Sequence, residues 1–240
     1  MTLKTFLAWC AHLYTAMGLI AAAGIAVLLV RGGEDSFRWA FVLMLLATVI
    51  DTTDGTLARR ARVKELTPGF DGRRLDDIID FQTYTSLPLL LIWRAGILPP
   101  GQAWWLLLPL LASAYGFSQA EAKTADGFFL GFPSYWNVVA LYLYLLRPPA
   151  WGSLALIIGP ALLTFVPSLY LYTTHKGPFW RLTNVLGAVW TVLLLLIFAR
   201  LPDVPRPLVW ISLGYPVYYL ALSWAITLRS WRTRYRQAGR

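Results

Sequence analysis

One cysteine and two histidines are all that 240 residues contain, too few for an internal disulfide or for the Cys/His ligand sets that hold zinc. Cys10 lies in the first apolar run and reads as a buried small apolar residue. Charge is also scarce: Asp, Glu, Lys and Arg make up 14% of the chain, against 58% hydrophobic residues. A soluble core cannot use that much apolar surface, so the bilayer is the solvent for much of the chain. There is no Walker A loop, which leaves ATP hydrolysis without support. No internal repeat, low-complexity tract or long polar segment marks off a separate soluble part, and a single membrane domain over 1–240 is expected.

What the sequence has instead is apolar runs near the length of a membrane-crossing helix. They predict an all-α, polytopic transmembrane bundle with eight spans, at about 6–30, 37–60, 73–95, 102–121, 133–147, 150–172, 181–200 and 207–228. The fifth is short. Arg147-Pro148-Pro149 reads either as a tight turn between two spans or as a break inside one, so six or seven crossings remain alternatives. No small-residue cleavage site with a soluble chain behind it follows the first run, which is therefore expected to be a retained span and not a signal peptide.

With eight spans, both termini and the even-numbered loops share one face. That face carries 15 of the 21 Lys and Arg residues, including Arg59, Arg60, Arg62, Lys64, Arg73, Arg74 and the tail from Arg229 to Arg240. The positive-inside rule places it in the cytoplasm. The net charge of +9 then reflects orientation and attraction to anionic lipid head groups, with no nucleic-acid partner implied.

Seven of the twelve acidic residues fall between positions 51 and 80. Four of them, Asp51, Asp54, Asp76 and Asp80, lie at the ends of apolar helices, where a carboxylate costs a few kcal/mol and marks function. At about 100° per residue, Asp51 and Asp54 share one helix face, as do Asp76 and Asp80. Two such helices joined by a cytoplasmic loop present four carboxylates to one point. Crowded carboxylates need cations, and an all-oxygen donor set suits magnesium, manganese or calcium. Two metals bridged there would suit phosphoryl displacement. Gly55 and Ala58 leave room for a ligand along the same helix, and Arg59 can meet phosphate charge. Asp77, about 100° around from Asp76, is expected to face an arginine or the polar loop, and Asp71 and Glu65 to be solvated loop groups.

Asp51-x2-Asp54-Gly55-x2-Ala58-Arg59, followed by Gly72-x3-Asp76-x3-Asp80, resembles the signature of the CDP-alcohol phosphatidyltransferases. The loop between the two halves, twelve residues from Arg60 to Asp71, is longer than the family usually carries. The stretches VKELTPGFDGRRLDDIIDFQTY, KTADGFFLGFPSYWNVVALYL and AHLYTAMG are similar to the bacterial phosphatidylcholine synthase branch, and phosphatidylserine synthases share much of the pattern. The resemblance implies transfer of a phosphatidyl group from CDP-diacylglycerol to choline with release of CMP, or the same transfer to serine or another small alcohol. It implies Asp51, Asp54 and Asp76 as ligands of a Mn2+ or Mg2+ pair, with Asp80 as general base and further ligand. Asp54, Gly55, Ala58, Arg59 and Gly72 would contact the CDP-lipid. A homodimer in the bacterial inner membrane, with the site on the cytoplasmic side, is also implied.

Choline carries a quaternary ammonium, which aromatic faces or a carboxylate can recognise. Tyr84, Phe128 and Trp136, with Phe81, Phe129 and Tyr135 beside them in sequence, are candidate acceptor contacts; Glu121 and Asp126 would supply charge. Lys123 is a cation that could instead meet the carboxylate of serine. Asn137 either joins the acceptor site or hydrogen-bonds between helices. His12 is expected to make an interhelical hydrogen bond, and His175 to be solvated. A cation transporter also needs intramembrane carboxylates, but here they cluster at one face with no polar path across the other spans. A catalytically silent scaffold has no need of four aspartates and two glycines.

Overall fold

The computed structural model describes residues 1–120, 122, 124, 126–172 and 179–238, with side chains as far as residue 233. Glu121, Lys123 and His175 lie outside the described residues. The helices are α1 Leu3–Arg31, α2 Glu34–Arg60, α3 Val63–Leu66, α4 Gly72–Asp80, α5 Leu87–Arg94, α6 Leu107–Ser118, α7 Trp136–Leu146, α8 Ala150–Leu163, α9 Trp180–Arg200, α10 Arg206–Ser212 and α11 Gly214–Ala238. A π-helical segment, Phe81–Ser86, joins α4 to α5, and a 3-10 turn, Ala103–Leu106, precedes α6. The strands are β1 Phe128–Leu130 and β2 Leu169–Leu171. Two compact units emerge: Met1–Pro100 with Trp136–Tyr144, and Gly101–Tyr135 with Leu145–Arg240.

Each of the eight expected segments contains helix. Among the described residues, four helices are long and apolar enough to cross a membrane: Leu3–Arg31, Glu34–Arg60, Trp180–Arg200 and Arg206–Thr233. The helices Ala103–Ser118, Trp136–Leu146 and Ala150–Leu163 are apolar but shorter. At 1.5 Å per residue they fall well short of a hydrocarbon core about 30 Å thick.

In the first unit, α1 and α2 make the most extensive helix pair. The buried residues of α1 include Ala8, Ala11, Thr15, Gly18, Ala22, Ile25 and Leu29, and those of α2 include Ala40, Met44, Ala47 and Ile50. These are stripes of mostly small side chains at three- and four-residue spacing. In a bilayer, where lipid is as apolar as leucine, such stripes associate because backbones can approach closely and pack. α1 ends at Gly32, whose φ of 70° is open to glycine and whose N–H donates to the Leu28 carbonyl. Arg94, the last residue of α5, donates to the Leu29 carbonyl at 2.9 Å and the Val30 carbonyl at 3.1 Å. It thereby satisfies acceptors that a helix end leaves open.

The expected third span is continuous helix from Gly72 to Arg94, but its ladder changes in the middle. Leu87 N–H reaches back five residues to the Gln82 carbonyl, and Pro88 follows with no N–H to give. A widened turn beside proline is one way in which a helix accommodates it.

The second unit departs from the all-α expectation and from the expected span 150–172. α8 stops at Leu163, and the chain then turns into β2, which pairs antiparallel with β1: Phe128 with Leu171, Phe129 with Tyr170, Leu130 with Leu169. The outer edge of β2 is met by α11. Thr227 Oγ1 accepts from Leu169 N–H at 2.8 Å, Ser223 Oγ accepts from Leu171 N–H at 3.2 Å, and Tyr219 OH donates to the Leu171 carbonyl at 2.9 Å. Residues four apart on a helix rise about 6 Å, close to the two-residue repeat of a strand. A row at 219, 223 and 227 can therefore serve a strand edge that would otherwise leave backbone groups unpaired. Gly131, φ 77°, lets the chain leave β1 past α8: a Cβ there would lie 2.3 Å from the Thr164 carbonyl oxygen. Between α7 and α8, Arg147 adopts a positive φ of 43° and Pro149 caps the next helix, so this sequence is a turn and not a break within one helix.

Candidate metal and substrate site

The carboxylates come from the C-terminal half of α2 and from α4. One oxygen from each of Asp51, Asp76 and Asp80 lies within 4.8 Å of the others. At an effective dielectric constant near 20, two unit charges at that separation repel by on the order of 3 kcal/mol. A set of three oxygen donors without nitrogen or sulfur fits a hard divalent cation.

Asp54 is outside this trio. It is only 6% exposed, and its Oδ2 accepts a 2.7 Å hydrogen bond from Thr15 of α1. Three residues along α2, it stands about 60° short of a full turn from Asp51, and Thr15 draws its carboxylate toward α1. Tyr14 and Thr53 bond at 2.8 Å beside it. Arg59 is exposed, its Nη2 donating to Thr56 at 3.0 Å, and a Cβ on Gly55 would come 3.3 Å from Arg59 Nη1. The bare backbone of Gly55 thus lies alongside a guanidinium, with Ala58 half-buried on the same helix.

Two close approaches hold α4 against α1. A Cβ on Gly18 would meet Ile79 Cγ2 at 2.6 Å, and one on Gly72 would meet His12 Cε1 at 2.8 Å and Nδ1 at 3.0 Å. His12 hydrogen-bonds not to another helix, as expected, but to Thr67 in the loop just past α3, at 3.0 Å. Thr67 Oγ1 itself donates to the Val63 carbonyl at 2.8 Å, so the imidazole Nε2–H is the donor. Phe70 packs on His12 and Trp9 with ring centroids 4.5 and 5.3 Å apart. The long loop is thereby pinned to α1 just before α4 begins, where Asp71 caps the helix by accepting from Arg74 N–H at 3.1 Å.

Gly72→Ala would force a methyl group into the imidazole, an overpacking cost of about 1–3 kcal/mol. The expected result is a lower melting temperature and slower turnover, with both partly restored when His12→Ala is added. If the loss is the same with His12 removed, the glycine serves the nucleotide instead.

Of the remaining expectations, Asp77 does face an arginine, Arg73, at 4.0 Å, while Glu65 pairs with Arg62. Tyr84 is buried and donates to Asp51 Oδ2 at 2.7 Å. Asn137 Nδ2 donates across from α7 to Thr48 of α2 at 3.3 Å, the interhelical alternative. Trp136 is fully buried. Phe128 sits in β1 of the second unit, Phe129 packs on Tyr172, and Tyr135 on Tyr219. The residues that sequence reasoning missed are Thr15, Thr48 and Gly18. Thr15 and Gly18 belong to the small-residue stripe of α1, which was readable; Thr48 carried no signal.

Residues 8–167 match the family model of the CDP-alcohol phosphatidyltransferases. A phosphatidylcholine synthase of Pseudomonas aeruginosa is 35% identical over 231 residues, covering 94% of this chain and 92% of the relative. One from Legionella bozemanae is 34% identical over 203 residues, covering 81% and 94%. One from Legionella pneumophila is 33% identical over 231 residues, covering 91% and 88%.

Proposed function

Since the chain belongs to the CDP-alcohol phosphatidyltransferase family, we propose that it makes phosphatidylcholine by transferring the phosphatidyl group of CDP-diacylglycerol to choline, with CMP as the other product. The observation that carries the site assignment is the convergence of Asp51, Asp76 and Asp80 from two helices, in a family motif complete from Asp51 to Asp80. The choline assignment rests on the relatives that cover nearly their whole length.

In this reading Asp51, Asp54 and Asp76 hold a magnesium or manganese pair, with Asp80 as a further ligand. Such ions supply charge neutralisation for the pyrophosphate and the departing CMP. Asp80 accepts the hydroxyl proton of the alcohol as its oxygen bonds to the β-phosphorus and the bond to CMP breaks. Arg59 meets phosphate charge, and Gly55 and Ala58 keep the face of α2 open to the nucleotide, while Gly72 makes room for His12 where α4 begins. Thr15 holds Asp54 in one rotamer by its hydrogen bond. Of the aromatic acceptor candidates, Trp136 belongs to the same unit as the carboxylates.

The chain acts as one catalytic domain, a homodimer with eight spans in a bacterial inner membrane, both termini and the site facing the cytoplasm. The bias of basic residues supports that orientation; the dimer and span count follow the family. The test incubates purified protein in detergent with CDP-diacylglycerol and Mn2+ or Mg2+, adding choline, serine, inositol or glycerol phosphate separately, and measures CMP. Release with choline alone is expected. Release with serine alone would move the assignment to phosphatidylserine synthesis, and none with any alcohol would sink both.

A further inference from the structure

The side chain of Asp51 is held by a residue outside the motif. Tyr84 lies in the π-helical segment that begins one residue after Asp80, and its phenol is almost fully buried, at 7% exposure. Its hydroxyl donates to Asp51 Oδ2 at 2.7 Å. Thr48, one turn before Asp51 on α2, lies beside the same phenol. Thr48 donates to the Met44 carbonyl at 3.0 Å and accepts from Asn137 Nδ2 at 3.3 Å. Asn137 and Thr48 thus follow one another beside the phenol, and the Tyr84 hydroxyl closes on the Asp51 carboxylate.

A carboxylate on an exposed helix rotates about its last torsion. A short bond from a buried phenol to one oxygen removes that freedom and fixes both oxygens relative to Asp76 and Asp80. We propose that Tyr84 is a positioning residue that presents Asp51 to a divalent cation, with Thr48 and Asn137 holding the phenol in place. This inference rests on the reading of Asp51, Asp76 and Asp80 as metal ligands. Partners that orient a ligand from behind it typically change metal affinity by about 10- to 100-fold when removed. The π segment supplies the geometry: it shifts the register after Asp80, so the position of Tyr84 is not that of a regular helix continued from α4.

The test compares full-length wild type with Tyr84→Phe, which keeps the ring and deletes the hydroxyl, both in detergent micelles after chelation. Mn2+ binding is followed by the loss of the free-ion electron paramagnetic resonance signal. Turnover is measured against Mn2+ concentration, and melting temperature without metal. Tyr84→Phe is expected to bind Mn2+ about 10-fold more weakly or worse, with turnover recovered at high Mn2+ and little change in metal-free melting. Equal Mn2+ affinity in the two proteins overturns the proposal, whether turnover is normal or is lost beyond recovery by Mn2+. Should Tyr84→Phe fail to fold, Thr48→Val carries the test: weaker Mn2+ binding supports the positioning role and unchanged binding overturns it. A wild type that binds no Mn2+ at all removes the metal reading itself.

Discussion

Asp80→Asn is expected to cut choline-dependent CMP release by about 10²- to 10⁴-fold, the usual contribution of a positioned general base, with the purified protein still folded. Asparagine keeps the shape of the side chain and one oxygen acceptor but cannot take up a proton. Asp80 ends α4 where the ladder passes into the π segment, and it is half-buried, so an amide fits its place without a cavity. Because Asp80 is also close to Asp51 and Asp76, Mn2+ binding must be measured on the same variant. A rate loss that persists at saturating Mn2+ identifies proton transfer, whereas a loss recovered by Mn2+ identifies a ligand alone. Near-normal turnover would remove Asp80 as the base.

The aspartate helices were legible because their information is local. Spacings of three and four put side chains on one face whatever surrounds the helix, and the motif needs only two such faces turned toward each other. Three of the four carboxylates meet as that argument expects. Asp54 does not join them within the same distance, because Thr15, 39 positions earlier, holds its carboxylate, and no periodicity reports a hydrogen bond between separate helices. The π segment was invisible for a related reason. Phe81–Ser86 has no composition that sets it apart from α-helix, and only Pro88 hints that the ladder must yield.

The strands of the second unit were missed for a different cause. Strand reading relies on alternation between a wet face and a dry one. In a chain whose surroundings are largely apolar, FFL and LYL look like any other stretch of an apolar run. Thr227, Ser223 and Tyr219, which satisfy the edge of β2, were equally silent, because their four-residue spacing also fits a polar stripe between helices. The loop before α4 was judged by its extra length. In the structure its added residues have a specific use, since Thr67 and Phe70 tie it to His12 and Trp9 on α1.

Asp76→Asn is expected to separate metal binding from folding more sharply than any other change to the site. Without metal, the three carboxylates of the wild type repel one another by on the order of 3 kcal/mol per pair at their spacing. Replacing one with a neutral amide relieves two of those pairs, so the metal-free variant should melt no lower than the metal-free wild type. With Mn2+ present the order reverses. A ligand that binds only the folded state stabilises it by about 2.7 kcal/mol at a concentration 100 times its dissociation constant, and the variant, short of a ligand, gains little of this. Turnover should fall with the lost binding. Thermal denaturation of both proteins in micelles, with chelator and with Mn2+, reads all four states. Equal Mn2+-dependent shifts would exclude Asp76 as a ligand. A metal-free variant clearly less stable than wild type would show that the charge of Asp76 serves the fold, since relief of repulsion can only act in the opposite direction.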